Sequence, residues 1–376
     1  MGCGITDRGL EVLRRLPALE TLVLTWTQIT DAGAGHLAAC ENLRKVDLSG
    51  TPSGDGAIRA LAGKGQLCDF RSGNGVTDSG LALLHDLPVF KTWQGGDARM
   101  ALLSAEARPN FLMLRGPFTD KGMTQLAGLD GLFALNVDCD RLAITGAGLA
   151  PLVNLPYLAW LAFDAKDESM PHIAALPHLR FLMCQDTVAG DNGFVALSRS
   201  QSIEHIWGRR CHNLQRRGFM ALADMPALQY LSVSCKNVDD VGLSTLPRFP
   251  ALRELMPMDV PDDGYRHVGL CAQLESLVLM YCRETTDVAT EQIAALTLKK
   301  YFASYNRITD RTPEILSGMA SLEEVTFDSC AGLSNAGITM LARLPRLREL
   351  RVESMPRVTA DVAAAFEAHV RVRYAL

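Results

Sequence analysis

Four residues near the middle of the sequence, His205, Cys211, His212 and Cys235, are of types that ligate zinc. Arg209, Arg210, Arg216 and Arg217 around them form a basic run of the kind that binds phosphate. Neither chemistry is completed. Zinc needs four ligands converging on one point, and the repeat phase set out below turns His205 outward while Cys211 is buried in a turn. A nucleic-acid site needs a wider positive field, whereas the 376-residue chain carries 37 Lys and Arg against 42 Asp and Glu, a net charge of −5. No G-x-S-x-G, Gly-rich phosphate loop or H-E-x-x-H occurs, so no activated nucleophile and no nucleotide or zincin site is expected. The reading is therefore no enzyme, no catalytic residue, no metal, no cofactor and no nucleic-acid partner. What recurs instead is a set of rings and thioethers suited to contact with another protein.

Their spacing comes from an internal repeat, with a period of about 24 residues. Leu19, Leu22 and Leu24 recur as Leu43, Val46 and Leu48, and later as Leu228, Leu231 and Val233, then Leu347, Leu350 and Val352. Each L-x-x-L-x-L ends in a short strand whose leucines point inward and whose intervening residues point out. Thr-Asp pairs such as Thr30-Asp31, Thr77-Asp78, Thr119-Asp120 and Thr309-Asp310 predict helix starts, since both residues cap helix N-termini. Leu-Pro and Met-Pro steps, among them Leu16-Pro17, Leu155-Pro156 and Met225-Pro226, predict where helices stop. No single unit can bury its own apolar side, so the units must stack. The predicted fold class is α/β, an arc or horseshoe solenoid with a parallel sheet on the concave face and helices on the convex face. Strands centred near positions 22, 46, 70, 93, 112, 135, 161, 182, 206, 231, 255, 277, 301, 325 and 350 make about fifteen repeats, with Val370–Tyr374 as a sixteenth strand. They form a single domain over residues 1–376, irregular at 90–118, 164–176 and 257–266.

A Cys, Asn or Thr stands three positions after the last strand leucine at Thr27, Thr51, Thr187, Cys211, Cys282, Asn306 and Cys330. With the I-T-D-x-G-L that follows in many units, this resembles the cysteine-containing class of leucine-rich repeats over nearly the whole chain. The resemblance extends to the repeat regions of F-box proteins and of bacterial GALA-type effectors. It implies a protein-binding function, with a ubiquitin-ligase-type recognition region as the alternative. An F-box would be a helical segment ahead of the repeats, whereas this chain opens inside one at Ile5-Thr6-Asp7, so any adaptor-binding part would lie outside it.

On the outward positions, one column reads Thr21, Lys45, Asp69, Thr92 and Ala134, then Trp160, Phe181, His205 and Tyr230. Strands lie about 4.8 Å apart, so these four rings would form a ladder about 14 Å long. The next column adds Met183, Trp207, Met256, Val278 and Phe302, and a third adds Arg209, Met258 and Met280. Rings, methionines and arginine are enriched at interface cores, and a solvated sheet does not require them. The expectation is a non-enzymatic scaffold, a monomer, holding a protein partner on this concave patch. Met1-Gly2-Cys3 fits an N-terminal lipidation pattern, but Cys3 also occupies the cysteine position of an ordinary repeat, and that reading is preferred. No apolar run is long enough to span a bilayer. Ten cysteines without a C-x-x-C pair read as reduced thiols of a cytoplasmic protein, or of one delivered into a host cell.

Overall fold

The computed structural model describes residues 4–93, 109–139 and 143–375. Gly2 and Cys3, with the lipidation pattern they carry, lie outside the described residues, as does the apolar run at 100–107. The chain divides into two compact units, Met1–Thr187 and Val188–Leu376.

In the first unit the strand leucines order a parallel sheet of β1 (Thr21–Val23), β2 (Lys45–Asp47), β3 (Asp69–Arg71), β4 (Phe111–Arg115), β5 (Ala134–Asp138), β6 (Trp160–Ala162) and β7 (Phe181–Met183). Its inward positions, Val46, Phe70, Leu112, Leu135, Leu161 and Leu182, have no measurable exposure. Each such burial is worth about 1.5–3 kcal/mol. The second unit repeats the arrangement with β8 (His205–Gly208), β9 (Tyr230–Ser234), β10 (Glu254–Met258), β11 (Ser276–Met280), β12 (Lys300–Ser304), β13 (Glu324–Asp328), β14 (Glu349–Glu353) and β15 (Arg371–Ala375).

The strand expected near position 93 does not form. Pro88–Lys91 is a helical turn, and β3 pairs directly with β4, Asp69 opposite Phe111. Phe111, not Thr92, therefore holds that place in the outward column.

The return segments are short. The α-helical stretches run from four to seven residues, as in Asp31–Ala34 and Arg216–Leu222, and many pass into a 3-10 turn before the next Leu-Pro step. The irregular returns hold Met170–Ala174 in the first unit, and Asp262–Gly264 with Tyr265–Val268 in the second. No helix among the described residues is long and apolar enough to cross a membrane.

The Thr-Asp pairs do more than start helices. Thr30, Thr77 and Thr119 cap their own helices through the hydroxyl, as expected, and so does Thr145, which precedes a glycine. Asp31, Asp78 and Asp120, beside the first three, reach into the following repeat. Asp55 accepts from the Thr77 amide at 2.8 Å and its hydroxyl at 2.6 Å, and Asp120 accepts from the Thr145 amide at 2.7 Å and its hydroxyl at 2.5 Å. The same clasp joins Asp287 to Thr309 and Asp310 to Ser334. From Asp78 it passes to Thr119, 41 residues on.

The family-defining turn position is satisfied by carbonyls rather than amides. Thr51 donates to the Leu48 carbonyl at 2.7 Å, Thr27 to Leu24 at 2.8 Å, and the Cys330 thiol to Ala303 at 3.4 Å. A small donor fits there, and a bulkier residue does not.

Candidate partner-binding surface

Alternation along each strand leaves the first, third and fifth residues on the open face of the sheet, away from the buried leucines. In the first unit that face is closed by its own rings from β4 to β7. Trp160 is only 3% exposed. Phe111 meets it edge-on at 5.7 Å and Phe181 stacks on it at 5.7 Å. Phe133, Ala134, Ala159 and Ala162 share the cluster, and Trp93 stacks on Phe133 at 5.5 Å and on Tyr157 at 5.1 Å. The expectation of an accessible Trp160 is thereby corrected. The ring in the column beyond Ala134 is Phe111, and with Phe181 on the other side the rings close over the indole. Phe181 and Met183 pack against this cluster and stay half-buried.

In the second unit the register sets His205, Tyr230, Glu254, Ser276, Lys300, Glu324, Glu349 and Arg371 in one column. His205 stacks on Tyr230 at 5.7 Å, and both are half-buried. The Tyr230 hydroxyl is pushed up to about 12, first by burial and then by the neighbouring Glu254 charge. Trp207 is half-buried, and its indole nitrogen is shielded from solvent without a hydrogen-bond partner. Met280 and Phe302 are partly accessible. Met256 and Met258, expected on the surface, are 4% and 6% exposed. Met256 lies beside Ser232, whose hydroxyl contacts its sulfur at 3.2 Å, so a neighbour too small to prop it outward lets it lie along the sheet.

Charges on this column are mostly neutralised in place. Glu324 pairs with Lys300 at 3.0 Å, and Glu349 with Arg351 at 2.5 Å and Arg373 at 3.4 Å. Glu254 is the exception: half-buried, it forms no ion pair among the described residues, and burial raises its carboxyl above the usual range although Ser276 beside it and the more distant Lys300 charge pull the other way. The basic run is likewise engaged on its own chain. Arg216 pairs with Asp239, Arg217 donates to Asn192, and the Arg209 guanidinium sits 4.5 Å over the Tyr281 ring.

Tyr281 and Tyr305 were not singled out from the sequence. They follow β11 and β12, are 41% and 44% exposed, and stack at 4.9 Å with 16° between their planes. Both hold left-handed backbone, φ 55° and 52°, a conformation that disfavours a bulky residue. The equivalent positions after other strands are Trp26, Gly50, Gly116, Asp259, Ser329 and Ser354. Tyrosines at this position in two consecutive repeats, between Asp259 on one side and Ser329 and Ser354 on the other, were the signal available in the sequence.

His205, Cys211, His212 and Cys235 do not converge: Cys211 and Cys235 are buried, His205 lies on the open face and His212 is exposed. No group of three or more metal-ligating side chains occurs among the described residues.

Comparison with known proteins agrees with this geometry. The family model described as Leucine Rich repeat matches residues 16–38. A chain of the yeast Rad7–Elc1 complex superimposes with TM-score 0.50 at 14% identity, over 98% of this chain and 83% of that one. An internalin, inlF, from Listeria monocytogenes gives TM-score 0.42 at 18% identity over 99% of this chain and 88% of that one. A TLR13 chain, from a complex with ssRNA13, gives 0.48 at 16% identity over 90% of this chain and 56% of that one. A parallel strand ladder with one return segment per unit, small donors buried in its turns, the matched repeat and the superposition on the yeast complex together show a leucine-rich-repeat fold.

Proposed function

We propose that the chain is a protein-binding scaffold without catalytic chemistry of its own, and that it holds its partner against the open sheet face of the second unit. The observation that carries this reading is Trp207. A buried N–H without an acceptor costs about 1–3 kcal/mol, and a partner carbonyl that meets the edge of the ring in line with the N–H, as the side chain turns out of its cover, would remove that cost. Around it His205, Tyr230, Met280 and Phe302 offer partly accessible apolar surface, and Tyr281 and Tyr305 extend it as a rigid shelf. Phe181 and Met183, in the first unit, are edges of a closed cluster and are not part of this surface. The fold agrees, since Rad7 is seen in complex with Elc1. The nine described cysteines are all free thiols, which suits a reducing compartment such as the cytosol.

The test begins with proteins captured from the source cell, each then purified and titrated against the wild-type chain, against Trp207→Ala with Tyr230→Ala, and against Val241→Ala at an exposed helix position. Truncating central anchors costs 2 kcal/mol or more, so the ring variants should bind at least about 30-fold more weakly with unchanged unfolding, and Val241→Ala should bind normally. Full affinity in the ring variants would refute the surface.

A further inference from the structure

Among the acidic residues of the strand column in the second unit, Glu324 and Glu349 each meet a Lys or Arg of their own chain. Glu254 does not. It stands in register between Tyr230 and Ser276, one strand to either side. Neither neighbour is a base. The next base in the column, Lys300, is two strands away and is held by Glu324 at 3.0 Å. Arg253, adjacent in sequence, is exposed and pairs with Glu275 at 3.7 Å. The carboxylate is nevertheless half-buried, in register with Ser276 on one side and the Tyr230 ring on the other. Withdrawing a carboxylate from water is costly unless a cation answers it, and an aromatic ring beside it adds attraction for that cation. Half-buried beside an aromatic ring and without an ion-pair partner among the described residues, Glu254 has the chemistry of one half of an intermolecular pair.

We infer that the partner places a lysine or arginine side chain on Glu254, against the Tyr230 ring, so that the surface selects partners by a basic residue seated in its apolar field. This rests on the docking surface proposed above. The net charge of −5 favours approach of a basic segment.

The probe is a randomised peptide-display library selected on the intact chain, with the enriched peptides synthesised and titrated. Peptides that lose affinity with Trp207→Ala and Tyr230→Ala should carry a Lys or Arg. Replacing that residue by norleucine, or Glu254 by Gln, should each weaken binding about tenfold, and combining both changes should weaken it little further. Surface-binding peptides that lack a basic residue, or whose affinity Glu254→Gln leaves unchanged, overturn the cation inference while leaving the docking surface intact. Enriched peptides indifferent to Trp207→Ala and Tyr230→Ala overturn both.

Discussion

Adding one methyl group at Gly80 should destabilise the protein, and removing the carboxylate it meets should turn the same change into a gain. A Cβ built on Gly80 has as its three nearest atoms the carboxyl oxygen, Cγ and Cβ of Asp55, the last at 3.3 Å. That carboxylate holds the Thr77 amide at 2.8 Å and hydroxyl at 2.6 Å, clasping one repeat to the next. To admit the methyl it must leave both. Hydrogen bonds to a charged group contribute about 1.5–3 kcal/mol, but these are solvent-exposed, so about 2 kcal/mol for the pair is the better figure. Alanine in a helix gains about 0.8–1 kcal/mol over glycine. Gly80→Ala alone should therefore cost about 1 kcal/mol and Asp55→Ala about 2 kcal/mol, while Gly80→Ala within Asp55→Ala should gain up to about 1 kcal/mol. Urea unfolding of the four proteins reads this out. With a slope near 2 kcal/mol/M, the midpoint should fall by about 0.5 M on adding the methyl to the wild type and rise by about as much in the Asp55→Ala background. An equal loss in both backgrounds would place the obstruction in backbone rather than in Asp55 and refute the clasp.

Acid should loosen the same clasps. The Thr30 hydroxyl holds the Asp7 carboxyl below its ordinary value, and at Asp78 burial pushes upward but the Thr119 bonds outweigh it. A depressed folded value means the stabilisation is full above the unfolded pKa near 3.9 and is lost as pH falls through the folded value. Unfolding midpoints should therefore drop below about pH 4, and Asp78→Asn should flatten that drop. Thr51→Val keeps the shape of a fully buried side chain but removes its hydrogen bonds to the Leu48 carbonyl, which keeps only the Thr51 amide, and to the buried Ser53 hydroxyl, so calorimetry should show a loss of about 1–3 kcal/mol. Tyr305→Gly relieves left-handed backbone at φ 52° and removes a ring that is 44% exposed, so stability should hold or rise by up to about 1 kcal/mol while partner affinity falls.

The repeat was legible because strand leucines and turn donors recur with one phase, and a residue's phase decides whether it is buried. Leu231, Leu255 and Leu277 could be placed from their spacing alone. Phase breaks down where the chain inserts residues. Thr92 carries the spacing of a column residue, yet only pairing shows that β3 skips to Phe111. Burial on the open face was also hidden, because it depends on lateral neighbours: Trp160 is covered by Phe111 and Phe181, and Met256 settles beside Ser232. The Asp clasps were misread as purely local caps, since their acceptors act on a residue one repeat away.

That division separates what the fold needs from what it does not. Inward leucines, turn donors, Asp clasps and the glycines beneath them are each explained by stacking, and changing one should cost stability. Glu254 without a base, the Trp207 indole without an acceptor, and tyrosines in left-handed backbone at positions 281 and 305 are explained by none of these, and each costs the isolated chain free energy. All four lie on the strands and turns of β8 to β12 in the second unit. Single costs of this kind occur elsewhere, in the left-handed backbone of Trp26 after β1 and in the shielded polar atoms of Ser169, Tyr265 and Asn306. What supports the proposed surface is that these four gather along neighbouring strands and turns, where one bound partner would offset each cost that the free protein bears.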